Sequence, residues 1–293
     1  MTTPPSQPPP STPPGLASVG GQVIITVQPT RGWAALGLRE VWEYRELLGY
    51  LVWREIQGTY RQTALGISWL FLRPIVNMLI LSLVFGRLMQ VPSDNVPYPL
   101  FSLAALLPWG FFSNGAMRGA RSLVANMHVI SKVYFPRLII PVAGAASGLV
   151  DLGAAFCVLL VALVIYRMPL RIETVWIPFF TLVALMCSLA VGLWLATLSV
   201  KFRDVEFAVV FLLQAMMYLT PVIYPVSIVP DSILWLYNLN PMTGVIQGYR
   251  WALLGIEPPP GPSFVLGIGI AILGLIAGAF VFRRTERTIV DLL

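Results

Sequence analysis

The residue with the most chemical potential in this sequence is a carboxylate in the middle of an apolar run. Asp151 lies within Leu138 to Ile165, a stretch with no other acidic or basic side chain. An acid held away from water is costly to ionise and often marks a proton or ion pathway; protonated, or bonded to a neighbouring helix, it is equally a structural residue. Both readings stand. A second group, Lys201, Arg203, Asp204 and Glu206 in "LSVKFRDVEFAVV", sits between two long apolar runs with almost no loop to hold it. Asp204 is placed to N-cap the following helix and Glu206 to favour its first turn, or the charges form a contact surface. Other chemistry is thinly supplied. The single histidine, His128, has no ligand types beside it, so no metal site is expected. Ser147 in "GAASG", Gly144 to Gly148, has no base to activate it, and the spacing of its glycines is that of close helix packing. Cys157 and Cys187 offer no disulfide framework and read as small buried apolar residues. Hydrolysis inside the membrane would need several such groups converging, so the chain is not expected to be an enzyme.

The elements that position these residues follow from composition. Hydrophobic residues make up 57%, charged ones 11%, and the mean hydropathy is +0.79, too apolar for a chain dissolved in water. Six runs are long enough to cross a hydrocarbon core as helices, approximately Leu70 to Leu88, Leu100 to Ala116, Leu138 to Ile165, Val175 to Val200, Val205 to Ile223 and Phe264 to Phe282. The alternation of a barrel strand is absent, which leaves helices as the spanning structure. With six spans both termini share one side. Placing that side in the cytosol puts fifteen of the 19 basic residues there and leaves only Arg87, Arg167, Arg171 and Arg250 outside. The basic excess is thus read as a topology signal, with membrane lipid and not nucleic acid as its surroundings.

Residues 1–30 begin "MTTPPSQPPPSTPPG", a Pro-rich tail expected to be disordered and lacking the pattern of a signal peptide. Residues 31–67 hold an amphipathic helix, in which Arg39, Glu43, Glu46, Tyr50, Arg54, Gln57 and Arg61 form one polar stripe. It suits the cytosolic membrane interface, or packing on a partner as an ordinary soluble helix. Residues 68–284 form the membrane domain and 285–293 a cytosolic tail. Between Pro225 and Gly255 the apolar sequence is broken by Pro230, Asn238, Asn240 and Pro241, which predicts two short helices dipping back from the outer face. The fold class is therefore all-α, with six transmembrane helices, an interfacial helix and outer re-entrant helices between spans five and six.

Five local sequences occur in order between these spans: "YRQTALGISWLFLRP" at 60–74, "NMHVISKVYFPRLIIP" at 126–141, "FRDVEF" at 202–207, "TPVIYP" at 220–225 and "LNPMTGVIQGYR" at 239–250. Together they resemble the ABC-2-type permeases that export polysaccharides, above all the O-antigen and teichoic-acid exporter subunits. The resemblance covers the chain from about residue 30 onward. It implies a half-transporter of the inner membrane that pairs with itself, binds two copies of a separate cytosolic ABC ATPase, and moves a lipid-linked polysaccharide outward through the pore between its copies. A related exporter of small lipids or drugs is the alternative. A proton-coupled carrier is disfavoured, since neither a second buried acid nor paired repeats are seen. A P-loop needs Lys followed by Ser or Thr, but Lys132 and Lys201 precede Val133 and Phe202, so ATP and Mg²⁺ belong to the partner and this chain needs no cofactor.

The same resemblance implies roles for particular residues. A coupling helix for the ATPase falls in 117–137, with Arg118, Arg121, Asn126, Lys132 and Arg137; the turn of Lys201, Arg203, Asp204 and Glu206 is a smaller second contact. Positive-inside charge alone is the simpler reading of both. Leu65 and Gly66 correspond to a loop bordering the cytosolic entrance, or form an ordinary hinge. Flat aromatic faces can stack on sugar rings, which makes Trp109, Phe111, Phe112, Tyr218 and Tyr224 candidates for the substrate path, against interfacial-belt or packing roles.

Overall fold

The computed structural model describes residues 16–19, 22–25, 42–60, 63–127, 135–202, 204–256 and 259–289. The chain divides into two compact units, Met1–Ala35 and Leu36–Leu293. The smaller contains an antiparallel pair, β1 (Leu16–Val19) and β2 (Gln22–Ile25), in register Leu16 with Ile25 and Val19 with Gln22. These eight residues lie within the segment 1–30 read as a disordered tail. The physical signal is local: Val19, Val23, Ile24 and Ile25 favour extended backbone, and Gly20-Gly21 between the strands is a hairpin sequence.

In the larger unit the described elements are helical. They are α1 (Arg45–Tyr60), α2 (Trp69–Leu81, entered through a 3₁₀ turn at Gly66–Ser68 and continued by a π-helical segment, Ser82–Leu88), α3 (Tyr98–Ala125), α4 (Ile139–Ile165) and α5 (Ile177–Lys201, preceded by a 3₁₀ turn, Ile172–Trp176). After them come α6 (Val205–Leu219), the short pair α7 (Asp231–Leu239) and α8 (Pro241–Leu254), and α9 (Pro262–Ile289). The last helix carries on through most of the segment read as a C-terminal tail.

Five helical stretches are long and apolar enough to cross a membrane: Gly66–Leu88, Tyr98–Ala125, Ile139–Ile165, Ile172–Lys201 and Pro262–Thr285. The chain is a multi-pass membrane protein. The remaining expected span, Val205 to Ile223, is only partly helical, because α6 has 15 residues, about 22 Å at the α-helical rise and short of a core of roughly 30 Å. The broken segment that follows does form two short helices. Asn240 ends α7 and N-caps α8, its side chain accepting from the Met242 amide at 3.0 Å, and Pro241 takes the first helical position, where its missing N–H is not needed.

α3 is the axis of the bundle. In its most apolar window 72% of residues are buried, against 6% for the first span, which therefore lies at the periphery. Small residues let the neighbours close on it. A β-carbon on Gly119 of α3 would lie 3.0 Å from Gly192 Cα of α5, and one on Gly144 of α4 would lie 3.3 Å from Arg118 Cβ. The "GAASG" spacing is thus a packing feature facing α3, as its sequence suggests. One cysteine departs from expectation: Cys187 is buried, but Cys157 is exposed on the outer surface of α4.

The two ends of the bundle are distinguishable. At one, Leu51 of α1 packs with Leu123, Leu138, Ile139, Ala196 and Phe282, which gathers the last turns of α3 and α5 and the first of α4. At the other, Tyr98 Oη donates to Ile223 O at 2.6 Å and Thr174 Oγ1 to Ala252 O at 3.3 Å. α6 leaves α5 at the Lys201 end, and the chain just beyond it is bonded at the Tyr98 end.

Candidate functional site

Asp151 is not isolated. One carboxylate oxygen accepts from Arg118 Nη2 at 2.5 Å and the other from Tyr60 Oη at 2.6 Å. Arg118 also donates from Nη1 to Ser147 Oγ at 2.8 Å, and Ser147 passes its own proton to Gly144 O at 2.8 Å. The ion pair is largely sequestered, its side chains 16% and 20% exposed. Three elements are tied together here: α1 by Tyr60, α3 by Arg118 and α4 by Asp151 and Ser147. Burial, then the bond to Asp151 and the charge of that carboxylate, push the Tyr60 hydroxyl up to about 12, so it remains a donor at neutral pH. Every strong acceptor in the network has a donor. This network supplies the bonded neighbours that the structural reading of Asp151 requires.

Beside this network is a cavity of about 330 Å³ between α1, α2, α3 and α4. Four arginines line it: Arg54, Arg73, Arg118 and Arg121. Glu55 is the one acid in its lining, with Thr59, Asn114 and Asn126 as further polar groups. Arg54 donates to Asn126 Oδ1, and Asn126 Nδ2 is fixed on Ser122 O at 2.8 Å. Arg73 stands 5.9 Å over the Trp69 ring. Among the described residues no carboxylate is paired with Arg73 or Arg121.

The residues implicated by the resemblance are thus sorted. Arg118 and Arg121 lie on α3, which runs on to Ala125, so they are helix residues and not part of a loop beginning at 117. Arg118 faces inward, and only Arg121 is exposed. Asn126 follows that helix, and Arg137 precedes α4. Lys132, Arg203 and His128 lie outside the described residues. Lys201 ends α5 exposed, and Asp204 holds the N-cap position of α6, but with helical φ of −67° and no side-chain cap bond. The expected carboxylate cap is corrected: with Asp204 already helical, its backbone carbonyl accepts from Phe207 and Ala208 while its side chain makes no cap. Glu206 does occupy the first turn. Leu65 is exposed, and Gly66 has φ of +51°, a backbone conformation that glycine adopts without strain.

Trp109, Phe111 and Phe112 are 4%, 2% and 2% exposed. Trp109 and Phe112 pack ring on ring at 5.3 Å, and Phe111 covers Gly148. Within one chain these three are core residues, not surface from which a path could be built. Tyr218 is exposed, and Tyr224 Oη contacts Tyr218 O at 3.0 Å and Tyr237 Oη at 2.8 Å.

Four contributors went unread in the sequence. Tyr60 and Arg73 enter the sequence reading only within the stretch 60–74 and Arg54 only in the polar stripe, although Arg73, a cation three residues into an apolar run, carries a signal of its own. Arg250, which the charge count leaves on the non-cytosolic side, is fully buried, stacked 3.6 Å over the Phe101 ring, and donates to Val222 O at 2.9 Å and Tyr224 O at 3.3 Å.

Long apolar helices and a basic cavity at one end of the bundle are the features of the larger unit. The chain belongs to the ABC-2 type transporter family, whose model matches residues 46–254. It is 31% identical over 254 residues to an O-antigen export system permease protein, RfbA, of Myxococcus xanthus, covering 85% of this chain and 96% of that one. An RfbA protein of Klebsiella pneumoniae is 28% identical, over 70% of this chain and 79% of its own. The polysialic acid transport protein KpsM of Escherichia coli is 24% identical, over 80% and 91%.

Proposed function

We propose that this chain is the permease subunit of an ATP-driven exporter that carries a lipid-linked polysaccharide, of O-antigen or teichoic-acid type, outward across the inner membrane. The observation that carries the reading is likeness along nearly the whole length of a permease named for O-antigen export. Two copies pair to enclose the pore, and two copies of a cytosolic ABC ATPase supply the energy. The absence of a P-loop lysine from the sequence supports hydrolysis in trans. The nearly uncovered face of the first span supports a further protein or lipid neighbour there.

Six crossings, with both termini cytosolic, fit this function. The path from the Lys201 end to Ile223, bonded to Tyr98, supports α6 and the four residues after it as the fifth span, completed by non-helical backbone that Arg250 satisfies. The short helices α7 and α8 then dip back from the outer face. ATPase coupling falls to groups at the Lys201 end, Lys201, Asp204 and Glu206 together with Arg137; Lys132 and Arg203, outside the described residues, are assigned to it from the sequence alone. Leu65 and Gly66 border the entrance, and Tyr218 and Tyr224 are the aromatics available to the sugar path.

The test is complementation. In cells lacking their own O-antigen permease, this chain, co-expressed with the ATPase and glycosyltransferases of its own gene neighbourhood, restores surface glycan. Inactivating the P-loop lysine of the ATPase abolishes it. Surface glycan that persists with the inactive ATPase would refute the reading.

A further inference from the structure

The cavity beside the Asp151 network holds more positive charge than the protein neutralises. Arg118 is balanced by Asp151 and Glu55 offsets one more cation, which leaves two of the four arginines in surplus. Arg73 and Arg121 have no carboxylate partner among the described residues, and the surrounding donors are held in place, Arg54 by Asn126 and Arg118 by Ser147. Convergent guanidinium groups on a fixed frame recognise phosphate oxygens through paired N–H bonds. The volume, about 330 Å³, is that of a small-ligand site.

The surroundings of the cavity indicate where such an anion comes from. Arg54, Glu55 and Thr59 belong to α1, which exposes Tyr50 and Trp53, with exposed Trp42 three residues before its start, side chains suited to a headgroup layer. Arg73 belongs to α2, whose exposed surface carries Phe71, Leu79, Ile80 and Leu83. A phosphate seated among the arginines could leave its hydrocarbon tail lying along that apolar surface. We infer that this cavity binds the phosphate or diphosphate headgroup of a lipid entering from the leaflet at the Lys201 end. The inference rests on the export reading in one respect: it names the part of the lipid-linked substrate that this pocket holds.

Full-length permease in phosphatidylcholine nanodiscs, without ATPase or sugar, is titrated with farnesyl diphosphate, farnesol and inorganic pyrophosphate. Farnesyl diphosphate binds, farnesol does not, and inorganic pyrophosphate binds more weakly. Arg73→Gln and Arg121→Gln each weaken farnesyl diphosphate about tenfold, the loss of one charge-assisted contact, whereas Arg73→Lys retains most of the affinity. Both side chains are exposed, so the glutamine variants keep the elution profile and melting temperature of the parent. Arg171→Gln, at an exposed arginine paired with Glu173, leaves binding unchanged. Unaltered affinity in the Arg73→Gln/Arg121→Gln double variant, or an equal loss with Arg171→Gln, overturns the inference. Pyrophosphate binding as tightly as farnesyl diphosphate overturns the lipid source. Surface-glycan complementation, run in parallel, separates the two claims: export without lipid-phosphate binding sinks only the pocket, and binding without export sinks only the export reading.

Discussion

Asp151 and Asp204 show how little a carboxylate's position in the sequence says about its work. In the sequence Asp151 was the exceptional acid and Asp204 an ordinary cap. In the structure Asp151 accepts from Arg118 and Tyr60, and Asp204 makes no side-chain cap bond. Replacing Asp151 by Asn leaves Arg118 sequestered without its counter-charge, so the variant loses about 2 kcal/mol of stability, read as a lower melting temperature in detergent. Under the export reading proposed above, in which ATP would supply the energy and Asp151 would relay no proton, export per folded molecule persists. Loss of export with the ATPase still hydrolysing would assign Asp151 a part in the pathway. The Tyr60 bond has a pH signature. Its hydroxyl is raised from 10.0 to about 12, so the contribution is complete below pH 10 and is lost as the pH climbs through about 12. Tyr60→Phe removes that dependence. Asp204→Ala, by contrast, changes stability by less than about 0.5 kcal/mol, where a working cap would cost about 1 kcal/mol.

At the level of elements, most of the helices were legible, because hydropathy over some twenty residues is a strong signal. The break at Asn240-Pro241 was legible too, being written in capping chemistry. What the sequence hid depends on contacts between distant elements. Arg118 read as lying beyond the span because the apolar run ends at Ala116, nine residues before the helix does, and its partner lies 33 positions away. Trp109, Phe111 and Phe112 read as pore candidates because aromatic residues look alike in a core and in a channel. The shortness of α6 was hidden because Thr220 to Ile223 continue its apolar character without its helical backbone. Arg250 is what permits that ending. Its guanidinium bonds the carbonyls of Val222 and Tyr224, which are otherwise left in an apolar setting. Arg250→Met therefore costs about 3 kcal/mol and lowers the yield of folded protein from membranes. Arg250→Lys, a single point donor, is milder. Equal yields for Arg250→Met and the parent would remove this account of α6.

For the whole molecule, the account joins a topology, a partner and a direction of transport. If both termini are cytosolic, as proposed, a cysteine introduced at Ser232 on α7 reacts with an impermeant reagent in intact cells, and one at Ser131 reacts only after lysis; the reverse pattern inverts the protein and moves the basic cavity to the wrong leaflet. The central claim is ATP-driven outward movement of glycan, and inverted membrane vesicles measure it directly. Vesicles carrying this chain, its ATPase and a radiolabelled lipid-linked glycan on the outer, formerly cytosolic, surface are supplied with ATP, and glycan protected from an added glycosidase is counted. The account predicts protected glycan that rises with time, requires both proteins and stops with a non-hydrolysable nucleotide. Protection that appears without ATP or without the ATPase, or its complete absence while permease and ATPase are assembled and hydrolysing, contradicts it.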